Sequence, residues 1–177
     1  IKYTHSGVIS SMIAMDKVIS KKIFVKNKIL TPKYVVIKNN LKNLNYNRIK
    51  RFLNYPVVVK PINEGSSLDV FICNNKLSLS NNLKKMKHYR EILIEKYIPG
   101  REIQVAIMSN KVLGSIELKP KRKFYDYKAK YNSNAKTKHI IPVKLSKKNY
   151  HKINKIALKA HNLLNCRGIT RSDFKFY

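Results

Sequence analysis

Three strand-like stretches follow one another over residues 92–97, 102–108 and 112–119, separated by gaps of only four and three residues. Such a succession excludes an all-helical chain and a strict alternation of strand with helix. The first half reads differently. Ser6 stands where it can cap a helix running to about Asn27, because Val8, Met12, Met15, Ile19 and Ile23 recur on one helical face. Thr31-Pro32 ends that region. Residues 34–37 read as a short strand, 45–54 as a helix, 57–60 as a buried strand stopped by Pro61, and 68–73 as a further strand. Leu77, Leu83 and Met86 indicate another helix. Ser146 caps a last helix whose apolar face is Tyr150, Ile153, Ala157, Ala160 and Leu164, and Gly168 opens a strand over 169–177. Helices alternate with strands early and strands cluster late. The expected class is therefore α/β of the α+β kind, divided near Pro99-Gly100 into lobes 1–97 and 98–177.

Charge bears on partners rather than on fold. The net charge of +29 first points to nucleic acid or an anionic membrane. However, 31 of the 38 basic residues are lysines, spread along the chain, and Asn and Ile are also abundant. Those are the residues of A/T-rich codons, so compositional drift is the favoured source. Drift makes the rarer residue types informative. Glycine occurs five times where average usage would give about 12, and only nine acids remain. No apolar run approaches the ~20 residues of a membrane span, and no signal peptide opens the chain. Cys73 and Cys166 have no metal or redox spacing, which fits a reduced, cytoplasmic compartment. The five histidines form no ligand cluster.

Several segments carry residues suited to phosphate chemistry. Lys60 ends the run of three valines before Pro61, a rigid mount for a positive charge. Asn63-Glu64-Gly65-Ser66-Ser67 can present backbone N–H groups and hydroxyls to an anion, or can be a plain polar turn. Glu95, Lys96 and Glu102 flank a link between two strands, where freed backbone groups can read a flat ring and a carboxylate can accept sugar hydroxyls. Arg171 and Asp173 lie two apart on a strand and so share a face. An arginine with a metal-binding carboxylate suits phosphoryl transfer, whereas an ordinary surface ion pair is the bland alternative. Phe124-Tyr125-Asp126-Tyr127-Lys128-Ala129-Lys130-Tyr131 puts four aromatics where a surface loop is expected, which reads as a lid or as a loop packed by its own rings.

Taken in order, these segments resemble the D-alanine–D-alanine ligases, ATP-grasp enzymes of peptidoglycan synthesis. The matching stretches are Tyr3-Thr4-His5-Ser6-Gly7, Met15-Asp16-Lys17, Pro56 to Pro61, Glu64-Gly65-Ser66-Ser67, Ile94-Glu95-Lys96, Gly100-Arg101-Glu102, the aromatic loop, and Cys166-Arg167-Gly168 through Arg171-Ser172-Asp173-Phe174. The resemblance implies an ATP-grasp fold, with a central lobe and part of a C-terminal lobe. It implies ATP and magnesium (or manganese) as cofactors and D-alanine as substrate. It implies no specific nucleic-acid partner and no membrane, and it allows a homodimer of the full-length protein. Lys17, Lys60 and Lys130 would meet ATP phosphates, Glu95, Lys96 and Ile98 would border adenine, and Glu102 would meet the ribose. Ser66 and Ser67 would lie over the substrates, with Tyr131 bonded into their loop. Arg171 would stabilise the acyl phosphate and the tetrahedral intermediate, and Asp173 would bind the metal.

The residues leave two alternatives. One is an ATP-grasp ligase using a different amine, against which the Tyr-Asp-Tyr lid pattern speaks. The other is a basic RNA-binding module, for which an RNP-type strand is missing. Leu68-Asp69 departs from the family's small aliphatic residue followed by Gly, and Asp69 is expected to put a negative charge close to the phosphate loop. The family's first lobe would precede Ile1, and a Glu-x-Asn segment with further metal ligands would follow Tyr177. The chain is accordingly expected to be an inactive part of a longer protein.

Overall fold

The computed structural model describes residues 3–38, 44–120 and 137–177. The chain divides into two compact units, Thr31–Ile98 on one hand and Ile1–Leu30 with Pro99–Tyr177 on the other.

The unit Thr31–Ile98 is a four-stranded antiparallel sheet backed by two helices. Its elements are β1 (Tyr34–Lys38), α3 (Tyr46–Leu53), β2 (Val57–Pro61), β3 (Phe71–Cys73), α4 (Lys76–Lys85) and β4 (Glu91–Lys96), and the sheet order is β1-β4-β2-β3. Both helices start on side-chain caps. Asn45 accepts the Arg48 N–H, and Asn75 with Ser78 forms a reciprocal capping box. Ile49 and Leu53 of α3, with Leu79 and Leu83 of α4, bury their side chains against Val57, Val59, Ile92 and Ile94 of the sheet. These strand positions alternate, so Val58, Lys60, Leu93 and Glu95 occupy the opposite face. The strand expected over 68–73 begins only at Phe71. Ser66, Ser67 and Asp69 have φ of 50°, 60° and 50°, which curl the chain into a turn instead.

The second unit holds α1 (Val8–Met15), α2 (Lys17–Lys26), β5 (Arg101–Met108), β6 (Lys111–Lys119), β7 (Lys138–Ile140), α5 (Lys147–Leu163) and β8 (Ile169–Phe176). Its antiparallel sheet runs β7-β6-β5-β8. Ile103, Val105 and Ile107 of β5 pack with Ile153 and Ala157 of α5 and with Val143. β7 is a three-residue edge strand on β6, with no signal of its own in the sequence.

The helix expected from Ser6 to Asn27 is two helices. Asp16, with extended backbone angles, ends α1 and caps α2, its Oδ1 accepting the N–H groups of Val18 (2.8 Å) and Ile19 (2.9 Å). Gly7, not Ser6, is the N-cap of α1. Ser6 Oγ instead donates to Arg167 O (3.0 Å) and accepts from Arg167 N (3.2 Å). The apolar stripe of α1 faces outward: Val8, Ile9, Met12 and Met15 are each more than half exposed, and Ser10 is the buried residue, its Oγ bonded to Asn165 O (2.6 Å).

The same bonds explain why residues 1–30 pack with 99–177 rather than with 31–97, as the sequence division had them. Thr4 O accepts the Ile169 N–H (3.2 Å), and Lys159 Nζ donates to Asn27 O (2.6 Å). Gly168 makes the first contact feasible. It has φ of +65°, and a Cβ there would lie 1.7 Å from Thr4 O.

Candidate functional site

In the first unit, the β2–β4 register sets Val58 opposite Glu95 and Lys60 opposite Leu93. Lys60 and Glu95 are therefore diagonal neighbours on one face, and Lys60 Nζ donates to Glu95 Oε1 in a short ion pair. Glu95 is buried and Lys60 is largely so. The pairing sets the position of both charged groups, because separating them would leave Glu95 charged in a poorly solvated place.

Lys96 lies one residue on and points its ammonium elsewhere. Its Nζ donates to the carbonyls of Asn54 (3.2 Å) and Tyr55 (3.3 Å), at the C-terminal end of α3 where a cation is favoured. Its backbone N–H donates to Lys33 O (2.8 Å), and that of Tyr97 to Pro56 O (3.2 Å). The strand end is thus anchored on both sides just before Ile98, which is partly buried.

Ser66 and Ser67 are the central residues of a turn closed by the Leu68 N–H to Gly65 O bond (2.9 Å). Positive φ at both is the type I′ pattern. The Asp69 carboxylate beside them is not an idle negative charge. Its Oδ2 accepts the Tyr89 hydroxyl (2.8 Å) and lies 3.7 Å from His88 Nε2.

In the second unit, the β5–β8 register sets Glu102 opposite Lys175, Gln104 opposite Asp173 and Ala106 opposite Arg171. These residues share the sheet face away from the Ile103, Val105 and Ile107 core. Three expected site residues, Glu102, Arg171 and Asp173, are therefore brought to one surface. Lys175 Nζ contacts Glu102 Oε1 at 2.5 Å. Arg171 binds Asp173 through two nitrogens, Nε to Oδ1 at 2.9 Å and Nη2 to Oδ2 at 3.3 Å. Both of those side chains are more than half exposed, so the pair contributes about 0–1 kcal/mol and opens readily.

Arg101, on the core side of β5, grips Glu117 of β6 with two bonds (2.9 and 2.5 Å) and also donates to Lys144 O (2.9 Å). The Arg101 bond holds the Glu117 carboxyl below its ordinary value against the opposing effect of burial, and Glu117 raises Arg101 in return. Lys17 is the first residue of α2, immediately after the Asp16 cap. Lys130 and Tyr131, with the rest of the aromatic loop, lie outside the described residues.

Sequence reasoning overlooked Lys175, Tyr89 and the Arg101–Glu117 pair. Lys175 had a signal, since it continues the two-residue alternation of Arg171 and Asp173. The others are joined by strand register or, for Tyr89, across 20 positions that include β3 and α4, which no local spacing reveals. As a place for a divalent cation, the β5–β8 face offers Asp173 as one hard oxygen ligand, consistent with a magnesium ion that takes its other ligands from phosphate and water. Among the described residues no three His, Cys, Asp or Glu side chains gather into a metal cluster. Among them, too, no helix is long and apolar enough to cross a membrane.

Comparison with known proteins gives these positions a context. A family model described as "D-ala D-ala ligase C-terminus" matches residues 23–177. The chain is 65% identical over 178 residues to a D-alanine–D-alanine ligase of Pelagibacter ubique (strain HTCC1062), covering all of this chain and 58% of that relative. It superimposes on a crystal structure of D-alanine–D-alanine ligase from Bacillus anthracis with a TM-score of 0.85 at 35% identity, covering all of this chain and 57% of that one. A structure described as that ligase complexed with ATP gives a TM-score of 0.82 at 30% identity, again over all of this chain and 55% of the other. The chain thus spans little more than half the length of the proteins it resembles, with the same ATP-grasp fold.

Proposed function

Because the chain belongs to the D-alanine–D-alanine ligase family, matched over residues 23–177, we propose that it is the ATP-binding part of an enzyme that joins two D-alanines. The reaction this implies has two steps. A carboxylate oxygen of one D-alanine attacks the γ-phosphorus of ATP, releasing ADP and forming an acyl phosphate. The free amine of the second D-alanine then attacks that carbonyl carbon, phosphate leaves, and the amine gives up its proton as the amide forms. Both steps develop negative charge on oxygen, which fixed cations stabilise.

The observation that carries this reading is the common face of β5 and β8, where Glu102, Arg171 and Asp173 stand in register. In it Glu102 accepts ribose hydroxyls, and Arg171 stabilises the acyl phosphate and the tetrahedral intermediate. The exposed Arg171–Asp173 pair can be redirected to substrate at little cost, since it contributes about 1 kcal/mol at most. Lys60 and Lys17 act as point charges for phosphate, and Glu95, Lys96 and Ile98 border the adenine. Ser66 and Ser67 offer their turn to the substrates. Magnesium held by Asp173 and phosphate oxygens would supply charge neutralisation. Lys130 and Tyr131 keep the lid roles that the family resemblance gives them. The reaction belongs in the cytoplasm, where ATP is available, and it needs neither nucleic acid nor membrane.

A phosphate-release assay tests the proposal on the full-length protein that carries this chain. Release from ATP should require D-alanine, and Lys60→Ala and Arg171→Ala should each reduce it at least 100-fold, roughly the loss of one transition-state contact. The 177-residue chain alone should not turn over. Release that is indifferent to D-alanine would overturn the reading.

A further inference from the structure

We infer that Asp69 is a positioning residue: through its hydrogen bond to Tyr89 it fixes the turn that carries Ser66 and Ser67, and so sets that turn for a bound phosphate. The second half of this statement rests on the nucleotide reading above; the first half does not.

The turn is built from residues that resist its shape. Ser66, Ser67 and Asp69 all have φ between 50° and 60°, a region that side-chain-bearing residues rarely adopt. Such residues persist only where their surroundings hold them. From within, the Leu68 N–H to Gly65 O bond closes the turn. From outside, one tether is the 2.8 Å bond from the Tyr89 hydroxyl to Asp69 Oδ2.

Tyr89 is a firm anchor for that bond. Its ring packs against the core cluster that contains Leu83, Met86 and Ile92, so its hydroxyl is carried by the core of the unit. Burial, together with the Asp69 bond, pushes the hydroxyl pKa up to about 12, which keeps it a donor. His88 Nε2 approaches the same carboxylate oxygen at 3.7 Å.

This arrangement accounts for the departure noted in the sequence. The family resemblance implies glycine at this position, which reaches positive φ without hindrance but offers nothing to hold. Aspartate also tolerates this conformation, and its short side chain can be bonded in place. The carboxylate that was expected to add negative charge at the phosphate loop is therefore turned to a structural use.

Two measurements on the full-length protein test the inference. The first is hydrogen–deuterium exchange of the backbone over residues 62–70 without nucleotide, and the second is ATP affinity by titration calorimetry. Tyr89→Phe keeps the ring in the core and removes only the donor. It should speed exchange across 62–70 and weaken ATP binding, each roughly ten-fold, the scale of one hydrogen bond to a charged group. Asp69→Asn keeps an acceptor oxygen but gives up the charge, so it should speed exchange across 62–70 by less than Tyr89→Phe does. Parent-like exchange in Tyr89→Phe would overturn the tether. Faster exchange with unchanged ATP affinity would overturn the positioning role. Tighter ATP binding by Asp69→Asn would show that the carboxylate acts simply as a repulsive charge. An unaltered protein that binds no ATP would instead overturn the nucleotide reading, while the exchange result would still decide the tether.

Discussion

Arg101 and Glu117 show how a single pair can link three stretches of chain. Arg101 on β5 binds both oxygens of Glu117 on β6 and the Lys144 carbonyl ahead of α5. Because the folded state holds the Glu117 carboxyl below its usual value of 4.5, the pair contributes stability above that pH and loses it as pH falls through the folded value. Glu117→Gln should lower stability by about 1.5 kcal/mol at pH 7, the low end for a charge-assisted bond because Arg101 is a third exposed. Urea midpoints of parent and variant should converge as pH is lowered from 7 to 3; a gap that stays constant would show that the charge on Glu117 is immaterial. The sequence showed Arg101 as part of Gly100-Arg101-Glu102 but gave no reason to join it to Glu117, 16 positions away. Arg171 and Asp173 could be paired by reading alternation alone, since a strand turns every second side chain to the same face.

Helix periodicity was read correctly over residues 8–23 and still misled, because an i, i+4 pattern cannot show whether its apolar face turns inward. In α1 that face is exposed and a serine is buried. The pattern also runs straight through Asp16, whose side chain begins a new helix. Asp16→Ala removes the acceptor for two N–H groups and should destabilise the protein by about 1 kcal/mol, read as a lower urea midpoint with an unchanged slope. No loss of stability would mean that the α1–α2 break is held by the neighbouring packing alone. The strands were more legible than the helices. Val57 to Val59 are buried on both faces, and a continuous apolar run states that directly. The start of β3 was misplaced because Ser and Asp at positive φ look in sequence like ordinary residues. Glycine would have announced the turn.

At the scale of the whole molecule, the net charge of +29 leaves little trace at the expected site residues of either unit, which are paired as Lys60–Glu95 in one and as Glu102–Lys175 and Arg171–Asp173 in the other. The division into units matters more. The boundary near Pro99-Gly100 was visible as a Pro-Gly link between strands, whereas the assignment of residues 1–30 was not, because contacts such as Ser6 with Arg167 span 161 positions. This has a consequence for the order of synthesis. Thr31–Ile98 is continuous and has all its strands once Ile98 has been made. Helices α1 and α2, of 8 and 10 residues, are too short to persist alone in water. The bonds of Ser10, Ser6 and Thr4 to Asn165, Arg167 and Ile169 therefore form only once those residues have emerged from the ribosome. A polypeptide ending at Ile98 should show this directly: limited proteolysis should remove residues 1–30 quickly and leave 31–98 intact. Equal protection of both parts would mean that residues 1–30 have a folding partner nearer in sequence than residues 159–169.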